Sequence, residues 1–361
     1  MTQSRRRFLQ SAIAGLALRP AATRAETARD LAVLGFRPTG NARLNPLTAG
    51  SGALLFSGDR TVGAVSLADL APIWVRPHGF PSAAEFRPRA AGPVMVCGGR
   101  GWIAAFDAAG GAELWRHRAE IQVGVPLVTE THTLFGDGHR LRALDTRTGA
   151  ELWRAAGIPD TLISYAPAAT SDTAFFGPGD GRLYAVSQSD GALKWSIDGR
   201  EPWQYLRQIY CRDGILVAGT YREELIGLSA QDGRALWSFN AGNFINSQHV
   251  TEDAAYLWSP TGWIYAIDIR SGDIRWRHQT TDYDESAGNW ASIMAELTTL
   301  DGRLYALAMD NNLHLLDTAT GAEIGTRRVP ERIRHAVLPL DGGARIAFPT
   351  ESGGILLTSG A

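Results

Sequence analysis

Ten side chains in this sequence have the chemistry to hold a ligand if the fold gathers them: Arg43, Glu85, Arg87, Tyr165, Tyr205, Arg207, Asn246, Gln248, Trp290 and Arg334. A guanidinium grips a carboxylate through two parallel hydrogen bonds, and an aromatic ring stacks on a flat ligand. Amides beside them fix orientation. Such a set suits an anionic planar molecule or a peptide. The same residues would also serve as the solvated lining of a wet channel, a reading that stays open at this point.

Other chemistry is thinly represented. No G-x-S-x-G elbow, H-E-x-x-H helix, P-loop or C-x-x-C-H site is present. The eight histidines are scattered and form no ligand-like pair. Asp282, Asp284 and Glu285 bring acids together, but not at the spacing of a calcium loop, so no metal site is expected. No catalytic set can be named.

The elements that would position the ten come from a repeat. Trp74, Trp115, Trp153, Trp195, Trp237 and Trp276 follow one another at intervals of 41, 38, 42, 42 and 39 residues. Each closes the same phrase, as in ALDTRTGAELW (143–153) and AIDIRSGDIRW (266–276). The first copy, AVSLADLAPIW (64–74), lacks the glycine, and a seventh, LLDTATGAEIG (315–325), lacks the tryptophan. Within a repeat, short alternating runs such as RLYAVS (182–187) are separated by Gly/Asp turns, the pattern of an antiparallel meander. A period near 40 made only of strands predicts a β-propeller. The tryptophans then belong to the outermost strands, docked on the next blade.

The A-x-D-x-x-T-G-x-x-x-W phrase resembles the tryptophan-docking motif of the quinoprotein (PQQ-like) β-propeller family, over nearly all of residues 31–361. That family contains quinoprotein alcohol dehydrogenases and the outer-membrane assembly lipoprotein BamB, which binds no quinone. The resemblance implies that ligands, where present, sit in the funnel at the mouth of the central channel. It also implies a vicinal cysteine pair and a calcium site in the dehydrogenases. Here Cys97 and Cys211 are far apart, and no Glu, Asn and Asp set can be placed.

Seven phrase ends are visible. After Gly325 three further strands can be read, and upstream Asp30 to Pro38 is one orphan strand. The expected fold is therefore all-β, an eight-bladed propeller of four-stranded antiparallel blades with Velcro closure by the N-terminal strand; seven blades is the alternative. Counting back from each following strand puts a proline near the innermost strands of blades 1 to 4 (Pro46, Pro88, Pro126 and Pro167), a glutamine there in blades 5 and 6 (Gln208 and Gln248) and, offset, Glu296 in blade 7. Asn45, Gln204, His249, Asn289 and His335 flank the candidate ligand-binding set. The segments 200–207 and 280–290 are long and aromatic, and loops of that kind carry function. Cys97 and Cys211 fall in blades 2 and 5, too far apart for a disulfide, so two buried free thiols are expected.

Residues 1–25 read as a signal peptide of the twin-arginine type, with Ser4-Arg5-Arg6-Arg7-Phe8-Leu9 before an apolar run. Residues 26–361 form the single propeller domain. No cysteine sits near the cleavage point expected after Ala25, so no lipid anchor is expected. Removing the five arginines of the leader takes the formal charge from −2 to −7, which does not invite nucleic acid. The function that follows is a periplasmic or secreted binding or scaffold protein acting through its funnel and long loops. Its partner would be an envelope protein or peptide, or a small anionic ligand, with no cofactor. One alternative is a small-molecule enzyme in the funnel, of quinoprotein oxidoreductase type with PQQ and calcium. The other is an envelope assembly factor like BamB.

Overall fold

Turns built on aspartate and glycine cut the chain into short strands, and the aspartate side chains hold those turns together. Asp145 Oδ1 accepts the N–H of Thr148 at 2.7 Å and its hydroxyl at 2.7 Å; Asp317 does the same for Thr320 at 2.8 and 2.7 Å. These bonds hold both carboxyls below their ordinary pKa. The glycine that follows sits at positive φ, 71° at both Gly149 and Gly321, where a side chain would be strained.

The structure is a computed structural model. It describes residues 28–360 except 120, 157–160, 179–180, 200–206, 220–223, 243–246, 260, 281–295, 309 and 334–335. After β1 (Arg29–Asp30) and β2 (Val33–Pro38), the chain forms successive four-stranded meanders. The innermost strands of blades 1 to 8 are β3 (Thr48–Gly50), β7 (Arg89–Ala91), β11 (Leu127–Val128), β15 (Ala168–Ala169), β19 (Arg207–Arg212), β23 (Ser247–Val250), β27 (Leu297–Leu300) and β31 (Leu338–Leu340). The two middle strands of a blade are buried on both faces, as in β4 (Ala53–Ser57) and β8 (Val94–Gly99), while outer strands alternate exposed and half-buried residues. Burial on both faces is what stacking of sheets around an axis produces.

Eight apolar clusters fill eight seams, one between each pair of neighbouring blades. The cluster of Leu134, Leu141, Trp153, Ile163 and Phe176 joins blades 3 and 4. Leu44, Leu54, Phe56 and Leu70 of blade 1 meet Leu340, Ala347 and Leu357 of blade 8, which closes the ring. Blade 8 takes its outer strand from the other end of the chain: β2 pairs antiparallel with β33 (Gly354–Ser359), Phe36 opposite Leu356. The propeller thus has eight blades. The orphan N-terminal strand is in fact two pieces. Leu31 is buried in the seam between blades 7 and 8, so the chain turns there, and Arg29–Asp30 add a fifth, parallel strand to blade 7.

Six seams carry a tryptophan from the outer strand of one blade against the turn glycine of the next. The indole N–H of Trp74, Trp115, Trp153, Trp237 and Trp276 donates to the carbonyls of Ala108, Thr146, Gln188, Ile269 and Thr318, at 2.9, 2.9, 2.5, 2.8 and 2.8 Å. A Cβ placed on Gly111, Gly149, Gly191, Gly272 or Gly321 would lie 2.5–2.7 Å from the ring it faces. At Gly233 the nearest side chain is Ile197, with the edge of the Trp195 ring behind it at 3.0 Å from an added Cβ. Cys97 is buried in blade 2 and Cys211 only half-buried in blade 5; both are free thiols. The expectation that both are buried fails for Cys211, which packs only partly against the seam between blades 4 and 5 because it sits on an innermost strand, the edge of its sheet at the lumen.

Candidate functional site

The lumen is lined from the starts of the innermost strands, and the best-defined chemistry there begins at Arg87. The segment before β7 is pinned by blade 1. Asn45 Nδ2 donates to Ala84 O at 2.9 Å, Ser57 Oγ to Phe86 O at 3.1 Å and Thr48 Oγ1 to Pro88 O at 2.6 Å. Phe86 is buried beneath. Arg87 is thereby presented to the lumen, where its Nη2 donates to Glu296 Oε1. Glu296 stands just before β27 in blade 7, so this ion pair spans the lumen. Its other oxygen accepts the Val337 N–H of blade 8 at 3.3 Å. Each side chain of the pair is about a quarter exposed, 26% and 24%.

Burial pushes the Glu296 carboxyl up, against the pull of Arg87 and Arg89. Arg89, first residue of β7, lies in the electrostatic reach of Arg87, Glu296 and Tyr210 of blade 5. The Tyr210 phenol, pushed up to about 12 by burial, donates to Gln248 O of blade 6 at 3.3 Å. His249 Nε2 meets Thr299 Oγ1 of blade 7 at 2.9 Å, and burial lowers its pKa to about 4.

Of the residues singled out in the sequence, Asn45, Arg87, Gln248, His249 and Glu296 take part in this arrangement. Arg43 and Glu85 are exposed, and Tyr165 is half-buried in the loop before β15. Tyr205, Asn246, Trp290 and Arg334 lie outside the described residues, as do both long aromatic segments apart from Thr280 and the start of β19, and nothing is described of the Arg207 side chain. Arg89 and Tyr210 were not anticipated. Arg89 could have been found by its distance of two residues from Arg87 on the same lumen-facing strand start. Tyr210 is mid-strand in an alternating run and gives no such signal.

The described lumen residues do not fit a calcium–quinone site. Calcium takes six to eight oxygen ligands, and the described carboxylate at the lumen, Glu296, is already committed to Arg87 and the Val337 N–H. Cys97 and Cys211 belong to different blades and cannot cap a quinone as a vicinal pair. Among the described residues no group of three or more His, Cys, Asp or Glu side chains is placed to hold a metal ion.

The family model described as outer membrane protein assembly factor BamB matches residues 58–202 and 198–338. The chain belongs to the BamB family. BamB of Nitrosomonas eutropha is 28% identical over 144 residues, covering 38% of this chain and 34% of its own. BamB of Yersinia pestis is 22% identical over 208 residues, 52% of each chain. BamB of Shewanella oneidensis is 26% identical over 235 residues, covering 62% of this chain and 51% of its own. The matches span between about a third and about half the length of these curated relatives. The BamB crystal structure from Moraxella catarrhalis superposes with a TM-score of 0.69 at 17% identity, over 91% of this chain and 97% of that one. A quinohemoprotein alcohol dehydrogenase from Pseudomonas putida superposes at 0.68 with 12% identity, over 91% and 76%. At such identities the superpositions speak to the fold alone.

Proposed function

We propose that this protein is a non-catalytic scaffold of the cell envelope, binding a protein partner in outer-membrane assembly as the name of its family describes. The observation that carries this reading is the commitment of the lumen's described acid to an ion pair across the ring, Arg87 to Glu296, within a BamB-family propeller. Glu296 is bound to Arg87 and to the Val337 N–H, which leaves it poorly placed to act as a base on a substrate. The test is chemical crosslinking in intact cells, followed by purification from solubilised envelopes. Outer-membrane assembly proteins should be crosslinked to the propeller. A pure, partner-free protein that shows a saturable, calcium-dependent quenching of tryptophan fluorescence by PQQ would sink the proposal.

Export belongs to the same reading and rests on Arg5 and Arg6 in the leader. The double variant Arg5→Lys, Arg6→Lys should accumulate in the cytoplasm with the leader attached, as seen by fractionation. Unchanged export would assign the leader to the general secretory route.

A further inference from the structure

Among the described residues, Arg87, Arg89 and Glu296 bring two positive charges and one negative charge together at the lumen. Arg87 is taken by Glu296. Arg89 is not: its Nε is buried and has no hydrogen-bond partner. Its environment is shared with Arg87 of its own blade, Tyr210 of blade 5 and Glu296 of blade 7. Groups drawn from opposite parts of the ring meet only in the lumen, so the guanidinium reaches it. A buried donor left without an acceptor is costly, more so when it carries charge. The three groups Arg87, Arg89 and Glu296 sum to a single positive charge.

We propose that Arg89 is the anchor of a binding site for a small carboxylate of single negative charge, held in the lumen beside the Arg87–Glu296 pair. The guanidinium fork matches a carboxylate in shape. One net positive charge matches one negative charge. Inorganic phosphate at pH 8, mostly the dianion, would bring its second charge against Glu296, so the site discriminates by charge. Binding here goes beyond the scaffold role and does not depend on it: a scaffold can carry an empty lumen, and a lumen ligand can bind whether or not a partner docks outside.

The experiment is calorimetric titration of the purified protein at pH 8 with acetate, benzoate and inorganic phosphate at constant ionic strength in sodium chloride. The carboxylates should saturate at millimolar or lower concentration, with phosphate weaker than either. Arg89→Gln should lose at least tenfold in carboxylate affinity. Glu296→Gln, which removes the competing acid and frees Arg87, should gain about tenfold. The gain separates a true site from damage, because a misfolded variant cannot bind more tightly; it also decides the matter if Arg89→Gln fails to fold. No saturable carboxylate binding, unchanged affinity in Arg89→Gln, or no gain in Glu296→Gln overturns the proposal. Phosphate binding more tightly than carboxylate overturns the assigned class.

Discussion

A single methyl group tests how tightly the indoles are docked. At Gly149 an added Cβ would sit 2.5 Å from the Trp115 ring on a backbone at φ 71°. Gly149→Ala must therefore open the seam between blades 2 and 3 and strain its own backbone, a loss of about 2–4 kcal/mol in urea unfolding. A surface alanine such as Gly101→Ala, with open space around the added atom, should cost about 1 kcal/mol or less. A second residue-level test concerns pH. The His249 pKa is about 4 in the fold and about 6.5 in the unfolded chain. Between those values the unfolded chain binds more protons, so stability falls as pH drops from 6.5 to 4. His278 is lowered by burial as well and acts in the same direction. Glu323, held to about 2 chiefly by its hydrogen bond with His314, adds its own loss only below the unfolded carboxylate range, near pH 4. His249→Gln keeps a partner for Thr299 and should flatten the slope of stability above pH 4 by up to about one proton per molecule. An unchanged slope would assign the titration elsewhere.

At the scale of elements, the seam between blades 8 and 1 explains the copy of the repeat that lacks its glycine. Gly35 stands opposite Leu357 in blade 8 as Trp74 stands opposite Ala64 in blade 1. Facing Gly35, where other turns have glycine, is Leu70 at φ 59° with its side chain over the gap. The ring and the glycine have exchanged sides. The carbonyl of Leu67, equivalent to the indole acceptors, takes Arg345 Nη1 at 2.5 Å instead. A double-mutant cycle follows: Gly35→Trp and Leu70→Gly should each destabilise alone, and the pair should recover about 1–2 kcal/mol of coupling. Strict additivity would refute the exchange. The repeat, the blade number and the innermost strand starts were legible in the sequence because spacing alone carries them. The aberrant phrase AVSLADLAPIW announced the odd seam without saying what filled it. The lumen was only partly legible. Arg87 and Glu296 lie 209 residues apart, and no local pattern says which blades aim their charges at one another. Arg43 and Glu85 carry suitable chemistry, yet the strand starts beside them present other residues to the lumen.

At the scale of the whole molecule, the ring is held by eight similar seams and one non-covalent joint. Deleting residues 28–38 removes β2, exposes β33 and strips Leu31 from the core between blades 7 and 8. The melting temperature should fall by more than 10 °C, far beyond an ordinary terminal truncation. A shift of only one or two degrees would mean that blade 8 is stable with three strands. The joint also sets a timetable. The strand that completes blade 8 leaves the ribosome first, and its partner Gly354–Ser359 leaves last. At ordinary synthesis speeds the interval is roughly 15–60 s. For that time an apolar edge with Val33, Leu34 and Phe36 waits with nothing to pair with, and the newborn chain is open to capture by a chaperone or by another copy of itself.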